Sequence, residues 1–518
     1  MPIPEANTPW LPKPWDTAYA AYAENEAWWL GDVAKLQAMY GGEQQATHMH
    51  AGIPHRGGVV GALYRGFWGR PVVANENRTR LHVPAPADLA TLASDLVFAE
   101  PPEVRLTQSN EKAQARLDLI ANSDMAHVTF NQMGEMKSAL GATVLVSRWN
   151  TAVEDHVWLE ASGADVIIPT FVSGRMTEVT LWTEYVENST YFRHLEHHAP
   201  GYIEHALFEG TAANLGRRVP LDAHPETRQY AGLVNSASVI ETGITRLTAT
   251  YNPNVPTTAW RKKGTLSATG RSDFAQLHQL FDALDETFSS WIRDLRQGAG
   301  RLIVPEAALN LGARGQGASF DMNRELFAGL NIPGNPDRPL DQVQFAIRVE
   351  EHERTMSGIY KEILRKSGLS SSSWGDYDGQ QGAMTATEVT DRKSASERTR
   401  DKKLLHDRGA IARQSSVALE LDGKVFPGKG GGLYDAPTVT FVDVSQEDPL
   451  VLAQTLSLLE AADAISTEQK VRRVNPDWDD EQVKQEVAKI RKDRGTLVDP
   501  TTFDGGPVAD PAEPDSEV

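Results

Sequence analysis

SDFAQLHQLFDALDETFSSWIRDLRQ, residues 272–297, carries the strongest periodic signal in the chain. Phe274, Leu277, Phe281, Leu284, Phe288, Trp291 and Leu295 recur at three and four residues, and Leu280 and Ile292 widen the stripe, which is the pattern of an amphipathic helix. Ser272 is placed to cap its start, because a hydroxyl there accepts from the first free amides, and Gly298 with Gly300 supplies a stop. At 1.5 Å per residue such a helix spans about 35–40 Å. The carboxylates of FDALDET (281–287) read as its wet face.

Downstream, Gly, Pro and Asn break residues 301–340 into short apolar pieces, a compact insertion. Residues 341–368 resume a helical pattern, with Val343, Ile347, Met356, Ile359, Tyr360 and Ile363 on or near one face. Two long helices therefore bracket an insertion. HERTM (352–356) lacks the second His of a metalloprotease helix and reads as a solvated face. LSSSSWGDYDGQQG (369–382) has the composition of a long loop. Thr385 and Glu388 then form a capping box, starting a helix that runs to about Leu421 and is polar nearly all round in its first half. A helix of that kind bridges through solvent or lies in a larger assembly.

Towards the N-terminus, GGVVGALYRGFWGRPVV (57–73) and ATVLVSRWN (142–150) read as strands and 115–140 as one helix, so the first half is α+β. Beyond the long helix come GKGGG (428–432), the strand-like TVTFVDV (438–444), helices at 449–463 and 479–493, and a Pro-rich acidic end that reads as disordered.

Composition limits the classes of function. A chain of 518 residues suggests two to four domains or one segmented subunit, and 40% hydrophobic with 23% charged residues is globular in character. Zero cysteines exclude disulfides, thiol nucleophiles and Cys-based zinc sites and fit a reducing compartment. MPIPEANTPWLPKPW has neither the basic start nor the apolar run of a secretory signal, and ATVLV (142–146) and DVIIP (165–169) are too short to span a bilayer, so a soluble protein with no membrane partner is expected. A balance of 51 basic against 70 acidic residues, net −19, argues against a positive coat gripping phosphates.

Catalytic patterns are scarce. His48, His50 and His55 in THMHAGIPH, and His194, His197 and His198 in RHLEHH, have spacings that can converge on zinc, but no HExxH or paired carboxylate accompanies them, and surface or interface histidines are the competing reading. GARGQG (312–317) and GKGGG do not satisfy GxxxxGK[ST] and read as turns. No nucleophile elbow is present. The expectation is a non-enzyme with no cofactor, no metal and no catalytic residue.

Several ordered features resemble the portal proteins of tailed bacteriophages, most closely those of siphophages with high-GC Gram-positive hosts. The resemblance runs from about residue 60 to 493. It rests on LHVPAPADLATLASDLVFAEPPEV (81–104), EHHAPGYIEHALFEGTAANLG (196–216), residues 270–305, QFAIRVEEHERT (344–355) and TATEVTDRKSASERTRDKK (385–403), all in the family's order. It implies an α+β portal fold that assembles into a ring. Residues 1–272 would form most of the wing, 273–297 and 341–366 the stem helices, 298–340 the clip, and 367–384 a channel loop. The long wing helix and a strand would occupy 385–448, a helical crown 449–495, and 496–518 would be a disordered acidic tail. The implied role is a dodecameric channel at one capsid vertex, through which double-stranded DNA is packaged and ejected. Implied partners are the terminase large subunit, a head-tail connector or adaptor, and the major capsid and scaffolding proteins. Assembly would occur in the host cytoplasm and the final location would be the virion.

On that resemblance Trp374, Asp376, Tyr377, Gln380 and Gln381 in the loop, and Arg392, Lys393, Arg398, Arg400, Lys402 and Lys403 on the wing helix, are the channel- or DNA-facing candidates. Each keeps a second reading. The loop aromatics can pack against neighbouring loops, and the basic residues can form intrahelical or intersubunit ion pairs. Two other classes remain: a soluble intracellular hydrolase using buried carboxylates, and a different head-tail structural component.

Overall fold

The computed structural model describes residues 3–39, 81–297, 301–303, 310–311, 318–319, 341–343, 348–370, 386–441, 449–462, 464–475, 478 and 480–495. Expectations for 57–73, for His48, His50 and His55, for most of the insertion, for the loop and for the acidic end lie outside these residues. The chain divides into two compact units, Met1–Phe441 and Val442–Val518.

Helices lead the first unit. α1 is Trp15–Leu30, stopped by Gly31 at φ 64°, and α2 is Ala85–Phe98. A short β1, Glu103–Arg105, precedes α3, Glu111–Ala121, and α4, Asp124–Leu140. The single helix expected over 115–140 is thus two. Asn122 turns its amide away to bond both the N–H and the C=O of Val104, and Ser123 caps α4 by accepting from Ala126 N.

Strands follow. β2 (Ala142–Arg148) and β3 (Trp158–Gly163) pair antiparallel, and an antiparallel meander continues through β4 (Ile167–Val172), β5 (Arg175–Glu187), β6 (Thr190–Ala199), β7 (Tyr202–Thr211) and β8 (Asn214–Val219). Three of its connections are two-residue turns that need left-handed backbone. Ser173–Gly174 and Asn188–Ser189 have both residues at positive φ, and Pro200–Gly201 has Gly201 at φ 95°. β9 (Val239–Glu241) adds to β7, and β10 (Ala249–Pro253) completes a three-stranded sheet in the order β10-β2-β3.

Besides a one-turn helix at Arg228–Ala231 and short 3-10 turns, the unit continues with α5 (His278–Gln297), β11 (Arg301–Ile303), β12 (Asn310–Leu311), β13 (Ala318–Ser319), β14 (Asp341–Val343), α6 (Val349–Ser367), α7 (Ala386–Val425) and β15 (Thr438–Thr440). β11 pairs with β14, β12 with β13, and β1 with β15. The second unit holds α8 (Pro449–Ala461), α9 (Thr467–Val474) and α10 (Asp480–Gly495), where Val471, Val483 and Val487 bury a small core with Ile490 against it. Helix and sheet mix as the α+β reading expects.

Two apolar cores matter for the site. In the first, Trp28, Leu89, Phe274, Phe281, Leu284, Ile363 and Leu364 join α1, α2, α5 and α6, with Phe281 against both Trp28 and Phe274 at 5.6 Å. In the second, Phe98, Leu117, Phe130 and Met133 pack with Leu404, Ile411 and Leu421 of α7.

The RHLEHH histidines are buried on β6, which corrects their reading as surface or interface groups. His194 Nε2 and His205 Nδ1 share a hydrogen bond of 3.1 Å and both rings stack on Tyr230; His197 meets Thr180, and His198 joins Thr248 and Glu196. Burial opposes ionisation of the Glu196 carboxyl, but Arg148 and His198 outweigh it and hold the group well below the usual range. Burial also lowers His194, His197 and His205 to about 4. Their charged forms are favoured in the unfolded chain, whose histidines titrate near 6.5. Stability is therefore full above about pH 6.5 and lost as the pH falls towards 4. Chemical denaturation at constant ionic strength should lose on the order of a few kcal/mol between pH 7 and pH 5, with part of that slope removed by His205→Gln.

Candidate functional site

The basic stretch that reads as polar on all sides lies in α7, 40 residues or about 60 Å long. Its inner side explains the composition. Ser396, Arg400, Lys403, Asp407, Gln414 and Asp422 are buried, at intervals that keep them near one face of a helix. Each has partners in the same chain. Ser396 Oγ accepts from Ser370 N, Arg400 donates to Leu96 O, and Lys403 pairs with Asp273. Asp407 accepts from Lys137 and from Asn252 Nδ2, and Gln414 bonds Ser147, Thr248 and Thr250. Asp422 accepts from Arg116 Nε at 2.6 Å and Nη2 at 3.0 Å, and from Val157 N. Burial pulls the Lys137 ammonium below its ordinary value while Asp407 pulls it back. A polar side chain is tolerated in the interior when it finds partners there, as each of these does although Asp407 Oδ2 is left without one, so this seam fixes α7 against α2, α4 and the three-stranded sheet.

The lead into α5 is tied to the same seam. The helix expected from 273 begins at His278, since residues 273–277 form a turn with Gln276 at φ 70°. Ser272 does not cap that helix. Its hydroxyl bonds the Ser138 and Ala139 carbonyls of α4 and accepts from Phe274 N. Asp273 meets Ser138, Asn254 and Lys403. Phe274 and Leu277 keep the apolar period through the turn and enter the first core, which is why the spacing alone placed the helix start too early.

α5 and α6 form an antiparallel hairpin. The far end of α5 meets the start of α6, where Asp294 binds Arg348 at 2.8 Å and His352 at 3.0 Å and Trp291 stacks on His352; the other ends share the first core. Hydrogen bonds from His352 and Arg348 hold the Asp294 carboxyl below its usual range. α6 starts at Val349, later than the expected 341, because residues 341–343 pair as a strand with Arg301–Ile303. Two polar expectations are corrected here. His352 is stacked and largely covered rather than solvated, and Asp285 of FDALDET is buried, accepting from Val83 N and His82 Nδ1. Past Asp285, Phe288, Trp291 and Ile292 are half-buried, and Leu295 is exposed.

Of the named candidates, Arg400 and Lys403 face the interior, while Arg398 and Lys402 are exposed. Arg392 and Lys393 fall on the helical backbone of α7. Trp374, Asp376, Tyr377, Gln380 and Gln381 lie outside the described residues. Ser370, at the edge of that stretch, is held by Ser396, and Thr399 donates to Gly368 O at 2.7 Å. Sequence reasoning missed Lys137, Asp273, Asp407, Gln414 and Asp422. A usable signal was present in the apolar row Leu404, Ile411 and Ala418, which marks the inner side of α7 and runs beside the polar one.

No described cluster of His, Cys, Asp and Glu could hold a metal, and no described helix is long and apolar enough to cross a membrane. No family model and no curated protein matches the chain. Among solved structures, a chain from "Neck of empty GTA particle computed with C6 symmetry" is similar at 14% identity and TM-score 0.39, covering 78% of this chain and 95% of that one. A chain from "Neck of native GTA particle computed with C12 symmetry" has 15% identity, the same coverage and TM-score 0.39. One from "Virion of native gene transfer agent (GTA) particle" has 14% identity and TM-score 0.38 over the same shares. At these values the likeness carries neither fold nor function to this chain.

Proposed function

We propose that the chain is a portal protein: a non-enzymatic subunit of a closed ring, a dodecamer, that forms the DNA channel at one vertex of a phage capsid. The observation that carries this reading is the α5–α6 hairpin. Half of α5 seals the subunit core, while Phe288, Trp291, Ile292 and Leu295, on the same stripe, stay partly in water although α6 lies alongside. An apolar stripe that outruns its own subunit's cover is suited to packing against neighbouring copies around an axis. The ordered sequence signatures resembling portals support the same reading.

On this proposal α5 and α6 line the stem, 298–340 docks the terminase large subunit and later the tail connector, and residues 1–272 with 385–448 supply the wing. The net charge of −19 per chain keeps duplex phosphates from adhering. ATP hydrolysis belongs to the separate motor, since no Walker A loop is present. Immunogold labelling of intact particles against this chain should mark a single vertex. Label spread over the whole capsid, or along the tail, would assign it to another structural component.

A further inference from the structure

We infer that the outer face of α7 docks onto an acidic surface of a second copy of this chain, a step that rests on the ring reading. From Ser396 to Asp422 the inner face is buried against its own subunit. Opposite it, Arg398, Lys402, Leu405, Arg408 and Arg413 are exposed, with Asp401 the one acidic residue on that side between 398 and 413. Lys402, Arg408 and Arg413 have no ion pair among the described residues. Leu405, in the middle of the row, is 72% exposed.

Charge complementarity selects the occupant. The chain carries 70 acidic against 51 basic residues, so a second copy presents mostly negative surface to any basic ridge. Leu405 between Lys402 and Arg408 suits a protein partner, because interface cores combine arginine with apolar contact. A phosphate backbone would use the charges and leave Leu405 in water. The inner residues Arg400 and Lys403 belong to the fold, and the outer ones supply the contact between copies.

The test uses the full chain and follows assembly by light scattering against concentration, at low and moderate salt. Lys402→Glu with Arg408→Glu should raise the concentration for half-assembly roughly tenfold or more at low salt, and Leu405→Gln should raise it less. Lys262→Glu with Lys263→Glu, the same charge change at another exposed site, should leave assembly as in the wild type, and all variants should melt alike. Ridge variants that assemble at the wild-type concentration would overturn the inference while leaving the ring intact. So would a short DNA duplex that binds the wild type but not the ridge variant while both assemble equally. A wild type that never self-associates would remove the ring reading and this inference together.

Discussion

Asp407→Ala is expected to destabilise the first unit by about 3–5 kcal/mol, the usual range when one partner of a buried ion pair is removed. Asp407 is fully buried, and the Lys137 beside it is 1% exposed, with its ammonium 5.7 Å from the Phe98 ring. Truncation leaves that ammonium without its counter-charge and Asn252 Nδ2 without its carboxylate acceptor. Either the charge stays buried at high cost or Lys137 loses its proton. Urea unfolding should show a lower midpoint with an unchanged slope. Converting both partners, Lys137→Met with Asp407→Leu, should recover most of the loss, because the cost lies in the unpaired charge rather than in missing attraction. A loss under about 1 kcal/mol for Asp407→Ala would mean that water reaches the pair.

Gly270→Ala is the second large effect. A Cβ there would sit 1.9 Å from the Gly141 carbonyl oxygen and 3.1 Å from Asn254 N, both backbone atoms that cannot rotate away. Asn254 N donates to that same carbonyl at 2.9 Å, so relief of the clash breaks a backbone bond between the residue after β10 and the residue after α4. The expected cost is roughly 3 kcal/mol or more. Because Ser272 and Asp273 follow directly, the change should also misalign α5. Gly174→Ala is the comparison. Its Cβ meets nothing within 4 Å, and only φ 78° opposes it, so about 1 kcal/mol is expected. Equal melting temperatures for the two variants would show that the backbones do not cross this closely.

Legibility in the sequence followed the physical origin of each element. α5 announced itself because its period reports burial, yet the same period runs through the preceding turn, where only the positive φ of Gln276 separates turn from helix. The start of α7 was legible from Thr385 and Glu388, since caps are local chemistry. The meander from Ile167 to Val219 was not read. Its buried faces carry His194, Glu196, His198 and His205, so the alternation of apolar and polar residues that marks a strand is blurred. Turn pairs such as Ser173–Gly174 and Pro200–Gly201 were the better guide. The polar seam of α7 was hidden for the same reason: a buried lysine and a solvated one look alike until the partner, often more than a hundred residues away, is placed.

The most direct test of the ring is the mass and shape of the purified full chain at micromolar concentration and moderate salt. Light scattering paired with negative-stain microscopy should give a closed cyclic particle of about twelve copies with a central opening. A monodisperse single subunit, or a small open oligomer without a channel, would contradict it.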